Sequence, residues 1–316
     1  MEMPEKLLVA VGGNAIHPGS IEGTAEEQAA IAAQTADQLL PLMQIGTPLI
    51  ITHGNGPVVG KILMRQALSR DHVPPMPMDI CVAHSQGGIA YLLMQACENA
   101  LRRVNDPRHV ACLLTQVEVD PEDPAFSNPQ KPIGFFYSAE EAQALEARFG
   151  WTMREDAGRG WRYVVPSPTP RHIVDISLLQ TVADSGAVVI AGGGGGIAVS
   201  RSPSGERHGL NAVIDKDLTS ALMANVLNIK VMMLLTGVDA VQLDYGTPAA
   251  RDLGEVGADE MRRLMREGHF AEGSMEPKID AALRFIEGGG ERVVIANLNR
   301  TLPALRGECG THITAR

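Results

Sequence analysis

Leu7-Leu8-Val9-Ala10-Val11 runs directly into Gly12-Gly13-Asn14, and Leu49-Ile50-Ile51-Thr52 runs directly into His53-Gly54-Asn55-Gly56. A short apolar run bounded by glycine is typical of a buried strand in a parallel sheet. Ligands of open α/β sheets bind just beyond the carboxyl ends of such strands. Each loop alone is equally consistent with a simple tight turn. Because glycine amides approach anions closely, the two loops, with a third at Gly192–Gly196, favour a phosphate-handling crevice.

The composition is that of an ordinary globular protein, with 45% hydrophobic and 20% charged residues in a chain of 316. A formal net charge of −10 argues against general affinity for nucleic acid or membrane surfaces. No apolar run approaches membrane-spanning length, and no signal peptide is expected. The cysteines show no metal-ligand spacing and are predicted to be free thiols, consistent with a cytoplasmic protein: Cys81, Cys97, Cys112 and Cys309.

Strand-like and helix-like segments alternate along the chain, which predicts an α/β fold with a mainly parallel sheet sandwiched by helices. The predicted strands are 7–11, 49–52, 110–115, 187–191, 231–236 and 292–296. The predicted helices are 24–44, 86–104, 173–184, 218–226, 259–267 and 277–287, the first of them opened by a capping box at Thr24.

One segment interrupts this alternation. Eight of the twelve aromatic residues fall between Glu118 and Val165, among several prolines. Such a concentration predicts a small subdomain, at about 118–168, with an aromatic core of its own. A protruding insertion near the strand ends is suited to act as a lid, although a decorated surface excursion is the alternative.

Two familiar nucleotide motifs are absent. The stretch Gly54–Lys61 is one residue too long for a P-loop and continues with Ile62. A dinucleotide fingerprint forced onto Gly193, Gly195 and Ala198 fails as well, because no helix-like segment follows it.

Three lysines are placed where a phosphate would use them. Lys278 follows Pro277 at a predicted helix start, where a cation opposes the helix dipole unless an anion binds there. Lys216 lies at another predicted helix start, between Asp215 and Asp217, either of which is suited to cap that helix. Lys131 lies between two prolines of the aromatic insertion. A solvated surface lysine is the alternative for each.

The nine histidines show no zinc-ligand spacing, so no metal site formed by the protein is predicted. His53 follows a strand and is equally suited to contact substrate or to be a satisfied loop histidine. Met275, beside Ser274, is suited to pack on a flat base or to belong to the core.

Together these residues resemble the carbamate kinases, within the amino acid kinase superfamily. The resemblance runs nearly from end to end, and the Asn-Pro-x-Lys-Pro-Ile-Gly string inside the aromatic insertion is especially diagnostic. The matching strings are Val11–Ala15, Thr52–Pro57, Ser85–Gly87, Thr115–Val117, Asp123–Phe126, Asn128–Gly134, Val165–Pro168, Ala212–Leu218, Gly273–Met275 and Pro277–Lys278.

The resemblance implies a three-layer α/β/α fold with a protruding lid, usually as a homodimer. It implies reversible phosphoryl transfer between ATP and carbamate, with Mg²⁺ and carbamoyl phosphate, running in this family toward ATP from catabolic carbamoyl phosphate. By this analogy residues 1–186 form the acceptor lobe with its lid, and residues 187–316 form the nucleotide lobe. We expect no nucleic-acid or membrane partner.

The resemblance also assigns roles. The carbamoyl and transferring phosphoryl groups would be held by Gly12, Gly13, Asn14, Gly54, Asn55 and Gly56. Charge on the phosphates would be neutralised by Lys131, Lys216 and Lys278, with Asp217 orienting the lysines. The nucleotide would lie near Thr236, Val238, Asp239, Tyr245 and Met275. Many relatives in the superfamily carry a lysine at the position of Ala10, so Lys216 is the candidate to replace it.

The sequence departs from the family at Gly237, Gln242, His84, Gly88 and Glu276. Gly237 stands where an aspartate is usual, and Glu276 stands where a glycine is usual. Two other hypotheses therefore remain: a catalytically weak regulator that binds nucleotide or carbamoyl phosphate, and a kinase of another small carboxylate-like acceptor. The predicted lid with Lys131 argues against the second.

Overall fold

A computed structural model describes residues 3–18, 21–156, 158–271 and 275–315, with the side chain of Asn14 excepted. The strands are β1 (Leu7–Val11), β2 (Leu49–His53), β3 (Val110–Leu113), β4 (Gln116–Val119), β5 (Lys131–Tyr137), β6 (Met153–Glu155), β7 (Trp161–Val165), β8 (Pro170–Ile173), β9 (Val188–Ala191), β10 (Ile197–Arg201), β11 (Arg207–Gly209), β12 (Val231–Thr236), β13 (Gln242–Leu243), β14 (Arg251–Asp252), β15 (Glu255–Gly257), β16 (Arg292–Asn297) and β17 (Thr311–Thr314).

The α-helices over the same residues are α1 (Gly13–Ile16), α2 (Ala25–Met43), α3 (Gly56–Ser69), α4 (Met78–Arg103), α5 (Ala139–Phe149), α6 (Ile176–Asp184), α7 (Lys216–Val226), α8 (Ala258–Arg266), α9 (Glu276–Glu287) and α10 (Thr301–Leu305). Thr24 begins α2 with the predicted capping box, in which its side chain and that of Glu27 each pair with the other's backbone N–H.

The central sheet has eight strands in the order β15-β17-β16-β12-β1-β2-β9-β3. Every neighbouring pair is parallel except β16 and β17. Side chains alternate across β1: Leu7 and Val9 pack into one apolar cluster with α2 and α4, and Leu8 packs into the other with α6 to α9. The predicted three-layer α/β/α fold with a mainly parallel sheet is therefore confirmed.

The lid is a separate three-stranded sheet, β5-β7-β6, with α5 connecting two of its strands. Its aromatic side chains pack on one another: the rings of Trp151 and Tyr163 stack with centroids 4.3 Å apart, and Phe149 lies against Trp151. β4 is not part of the lid, because it pairs with β8 and β10 in a four-stranded sheet. The predicted aromatic core is present, within residues 131–165.

The lid rests on α3 at a contact between two glycines. A Cβ added to Gly60 would lie 2.2 Å from the Cα of Gly134, so only glycine permits this approach. Beneath the contact, Val59 of α3, Val82 of α4 and Ile133 of the lid share a small buried cluster. This packing fixes the lid over the start of α3.

All six predicted strands are present, but two predicted helices differ. The helix predicted from Gln86 begins earlier, at Met78, because its first two turns bury apolar side chains beneath the lid. The helix predicted from Ile173 begins at Ile176, because Ile173 ends β8 and Asp175 takes a left-handed backbone conformation with φ of 55°. The helices α1, α3, α5 and α10 were not predicted.

The boundary predicted between residues 186 and 187 stays a prediction. β9, just beyond it, lies between β2 and β3, so the sheet runs without interruption through both parts of the chain. In the described part of the chain, no helix is both long enough and apolar enough to cross a membrane. The four cysteines are free, as predicted.

Candidate active site

Two glycine loops meet at the carboxyl edge of the sheet. The first glycine loop, Gly12–Asn14, follows β1, and the second glycine loop, Gly54–Gly56, follows the adjacent strand β2. They are in contact, because a Cβ added to Gly54 would lie 2.8 Å from the backbone nitrogen of Gly13. Side chains are thus excluded between the loops. The N–H of Gly12 donates to the carbonyl of Leu235 and the N–H of Gly54 donates to that of Val11, which fixes both loops to the strand ends.

Two buried side chains of α4 hold this edge in place. Ser85 Oγ accepts a hydrogen bond from Asn55 Nδ2 at 2.8 Å. Gln86 Nε2 donates to the carbonyl of Gly193 at 2.8 Å, and its Oε1 accepts from the N–H of Thr115 at 2.7 Å. In the sequence, Ser85 and Gln86 stand out only because Ser85–Gly87 matches the carbamate kinases. In the structure their side chains hold the second glycine loop and the loop at Gly193 in place.

The three predicted lysines lie together with two aspartates, and we call these five residues the lysine cluster. Lys131 Nζ donates to Asp215 Oδ2 at 2.8 Å, and Lys278 Nζ donates to Asp217 Oδ2 at 3.0 Å. Lys216 Nζ donates to the other oxygen of Asp217. The cluster joins the lid, the start of α7 and the start of α9, with three positive and two negative charges.

Asp215 has two roles at once. Its Oδ1 caps α7 by accepting from the N–H of Asp217 at 2.8 Å, while its Oδ2 pairs with Lys131. The sequence left open whether this aspartate was only a cap. Since the cap and the pair share one carboxylate, the lid lysine is fixed relative to the first turn of α7.

The protonation states in the cluster follow from burial and from its paired charges. Burial raises the pKa of Asp217, but Lys216 and Lys278 outweigh that effect and hold it below its usual range. Burial lowers the pKa of Lys216, partly offset by Asp217, whereas Asp217 raises the pKa of Lys278 against burial. Asp217 is therefore ionised at neutral pH and supplies the counter-charge for Lys216 and Lys278.

The loops and the cluster line one cavity of about 770 Å³. Of the predicted site residues, those that line it are Gly12, Gly13, Gly54, Asn55, Gly56, Lys131, Lys216, Asp217, Thr236 and Lys278. The side chain of Asn14, and Gly273 and Ser274 of the matching string, lie outside the described residues. Amides thus face ammonium groups across the space, an arrangement suited to bind and polarise a phosphate.

Four predicted nucleotide residues are not among the residues that line this cavity. Val238 and Tyr245 are exposed, and Met275 packs against the apolar core at the start of α9. Asp239 accepts a hydrogen bond from Asn297 Nδ2 at 2.9 Å. Their roles stay predictions.

The departures from the family pattern lie at different distances from the cavity. Gly237 lines it, with open space where a Cβ would stand. Glu276 is the first residue of α9, and Gln242 donates to Asp252 within a short hairpin. His84 is exposed on α4.

Several cavity residues were missed from the sequence: His17, Lys61, Arg159 and Arg162. Arg159 and Arg162 both pair with Asp156 and both lie over the ring of Phe136 in the lid. Their sequence signal is weak, because arginines in a polar loop are usually solvated. In the sequence, Lys61 stands out only as the lysine that follows Gly60 in a stretch too long for a P-loop.

His53 is completely buried at the end of β2. Its Nδ1 lies 3.1 Å from the carbonyl oxygen of Gly54, and its Nε2 makes no hydrogen bond within the described chain. Burial lowers the pKa of His53 to about 4, so its imidazole is neutral at neutral pH. With Nδ1 protonated, the ring donates to Gly54 and steadies the second glycine loop.

Over the described residues, no group of three or more His, Cys, Asp or Glu side chains is placed to hold a metal ion. The carboxylates nearest the cavity centre, Asp215 and Asp217, have their oxygens engaged by lysines and by a helix start. A hard divalent ion binds such sites through substrate phosphates and water as well as one or two carboxylates.

Comparison with known proteins gives the class first. The amino acid kinase family profile matches residues 5–297, so the chain belongs to the amino acid kinase family. A carbamate kinase of Pyrococcus horikoshii is 43% identical over 99% of this chain and 100% of its own. Within the family the chain therefore belongs with the carbamate kinases, which are ATP-dependent phosphotransferases.

Solved structures agree with that placement. A Giardia lamblia carbamate kinase bound to citric acid superposes with a TM-score of 0.94 at 39% identity, with 99% of both chains covered. A Giardia lamblia carbamate kinase bound to AMP-PNP superposes with a TM-score of 0.89, again at 39% identity and 99% coverage of both chains.

Proposed function

We propose that this protein is a carbamate kinase that transfers a phosphoryl group reversibly between ATP and carbamate. The observation that carries the proposal is the single cavity in which two contacting glycine loops face three lysines. Working toward ATP, it would use carbamoyl phosphate released by a catabolic pathway.

The glycine loops would hold the carbamoyl group and the transferring phosphoryl group. Their amides are fixed by the close contact of Gly54 with Gly13 and by the hydrogen bond from Asn55 to Ser85. Phosphoryl transfer requires little covalent chemistry from the protein, so positioning the two reacting oxygens in line is the main task. Rigid backbone amides serve that task better than flexible side chains.

The lysines would stabilise the charge that develops on the transferring group. Lys216 and Lys278 share Asp217, so both ammonium groups are held in place before substrate arrives. Lys131 comes from the lid, and it would bring the third charge from the opposite side. Preorganised charges of this kind stabilise a transition state without reorganisation during the reaction.

Mg²⁺ would be carried mainly on the nucleotide. The oxygens of Asp215 and Asp217 are already engaged, so phosphate oxygens and water would supply most of its ligands. The ion would neutralise phosphate charge. The nucleotide itself would lie over the C-terminal half, with Thr236 at its phosphate end and Val238, Asp239, Tyr245 and Met275 farther along.

The test is ATP formation from ADP and carbamoyl phosphate with Mg²⁺, beside the Lys131→Ala variant. We expect activity from the natural protein and roughly a hundredfold lower turnover from the variant, the scale of losing one charge stabiliser. Lys216→Ala and Lys278→Ala should behave alike. No activity above the uncatalysed rate would contradict the proposal, and binding without turnover would favour a regulator.

The homodimer that the family implies also remains part of the proposal. Its test is the molar mass in solution, measured by sedimentation across a range of protein concentrations. A monomer at all concentrations would remove the dimer without affecting the proposed reaction.

A further inference from the structure

Lys61 is a fourth lysine of the cavity and lies apart from the lysine cluster. It is in the second turn of α3, four residues after Pro57, so both residues lie on the same face of that helix. Both line the cavity. Because α3 begins with Gly56 of the second glycine loop, this face is directed toward the space that the glycine loops border.

The partners of Lys61 are all neutral. Its Nζ lies 2.8 Å from His17 Nε2, donates to the carbonyl of Glu22, and stands 5.2 Å from the ring centroid of Phe135 in the lid. Within the described part of the chain it forms no ion pair, whereas every lysine of the lysine cluster pairs with an aspartate. Lys61 thus brings to the cavity a positive charge that carboxylates balance only at longer range, from Glu22 and Glu27.

The contact with His17 requires a neutral imidazole, because the ring nitrogen must accept from an ammonium group. Burial and the neighbouring Lys61 both lower the pKa of His17, which is consistent with that requirement. A cation whose direct contacts are all neutral loses hydration with only more distant charges to compensate. An anion entering the cavity would supply a compensating charge at close range.

We propose that Lys61 binds the anionic acyl phosphate substrate and anchors the lid over it through Phe135. The inference rests on the proposed function, since it names a further residue for the same substrate. Phe135 belongs to β5, the strand that also carries Lys131. Contact with both the ring and the substrate would therefore couple closure of the lid to occupation of the acceptor half.

The test compares Lys61→Met, which keeps the aliphatic stem and removes the charge, with the natural protein. We expect KM for carbamoyl phosphate to rise about tenfold, the scale of losing one hydrogen bond to a charged group. KM for ADP should stay within about twofold, because the nucleotide lies on the opposite side of the transferring group. The double variant with Phe135→Leu should show non-additive effects on KM.

Lys230→Met is the matched control. Lys230 is also half-buried, donates to the carbonyl of Gly289 at 3.0 Å, and directly precedes β12, at the opposite end of that strand from Thr236. It should leave both KM values unchanged. If Lys61→Met lowers the melting temperature, Lys61→Arg separates charge from packing, because it should restore most of the affinity for carbamoyl phosphate.

Calorimetric titration with inorganic phosphate gives a readout independent of turnover. Phosphate should bind the natural protein and Lys230→Met alike, and at least fivefold more weakly to Lys61→Met. An inactive natural protein would remove the proposed function, whereas an active protein with an unchanged KM in Lys61→Met would overturn only this inference. An equal rise in KM for ADP and carbamoyl phosphate would also overturn it, because that result indicates a general structural effect.

Discussion

Asp217 is the residue on which two of the site's lysines depend. Its carboxylate accepts from Lys216 and Lys278 and is almost fully buried. Asp217→Asn would leave two ammonium groups without their counter-charge, so we expect about 3–5 kcal/mol lower free energy of unfolding and roughly a hundredfold lower turnover. Urea denaturation and steady-state kinetics measure both effects.

Asp280→Asn is the control for that change. Asp280 forms an exposed pair with Arg284 one turn along α9, so its loss should cost less than about 1 kcal/mol and leave turnover unchanged. If Asp217→Asn were as mild as Asp280→Asn, the lysines would not depend on the shared carboxylate.

His53 predicts a pH dependence of stability. Its pKa in the folded protein is about 4, below its ordinary value of about 6.5. Between these two pH values the unfolded chain therefore binds more protons than the folded protein does. Stability from this group is therefore present above about pH 6.5 and is lost as pH falls through that window. Between pH 7 and pH 5 the loss should be about 2 kcal/mol, and His53→Gln should remove it.

The measurement is the free energy of unfolding at both pH values for the natural protein, His53→Gln and His208→Gln. His208 is exposed on β11, so its replacement should leave the pH dependence as it is. Burial also lowers the pKa of His17 and His312, so a smaller pH dependence should remain in His53→Gln. A dependence as large as that of the natural protein would assign it to groups other than His53.

At the scale of elements, the close contact between α3 and the lid predicts that replacing a glycine by alanine destabilises the protein at this contact but stabilises it at an open helical position. Gly60→Ala would place a methyl group 2.2 Å from Gly134 and force the lid away from α3. Overpacking of this kind costs about 1–3 kcal/mol, and KM for carbamoyl phosphate should rise because Lys131 and Phe135 move with the lid. Thermal unfolding and kinetics test both consequences.

Gly88→Ala is the comparison, since Gly88 lies inside α4 with nothing within 4 Å of an added Cβ. Alanine there should raise stability by about 0.5–1 kcal/mol, because it restricts the unfolded backbone at no steric cost. Equal effects of the two substitutions would mean that the contact with the lid is not tight.

Elements were predictable from sequence where one periodicity dominates. The six predicted strands are short apolar runs, most of them bounded by a glycine or a charged residue, and each is present. α3 was missed because its start, Gly56-Pro57, also reads as a loop, and the early turns of α4 were missed because prolines precede them. The lid strands alternate too weakly to be recognised, since their apolar residues pack on α3 and on each other rather than on the main core.

At the scale of the whole molecule, the charge of the protein and the charge of its cavity have opposite signs. The net charge is −10, yet the cavity is lined by six lysines and arginines against two aspartates. Local positive potential should therefore attract carbamoyl phosphate, and kcat/KM should fall severalfold as ionic strength rises from about 0.05 M to 0.5 M. Measuring kcat/KM in salts of two different anions distinguishes screening of the cavity's potential from competition by the anion for the site. No change in kcat/KM with ionic strength in either salt would contradict this prediction.

The site as a whole could be predicted only in part. The glycine loops, Lys216 and Lys278 were predicted because each lies beside a strand end or a helix start, where local sequence has a direct chemical meaning. Lys131 was marked by its two flanking prolines and by the resemblance. Lys61 was missed because a lysine within a helix usually faces solvent, and only the fold shows the lid ring and His17 beside it. Likewise, the sequence does not show that Asp215 both caps α7 and pairs with Lys131, because Lys131 lies on a lid strand distant in sequence.

The position of β1 at the centre of the sheet has a consequence for biogenesis. β1 pairs on one side with β2 and on the other with β12, so Leu7 and Val231 are partners although more than two thirds of the chain separates them. Until residue 236 has left the ribosome, the nascent chain exposes one unpaired apolar edge of β1. Such an edge invites pairing with other chains, so synthesis of this protein should depend on protection by chaperones until about its last quarter emerges.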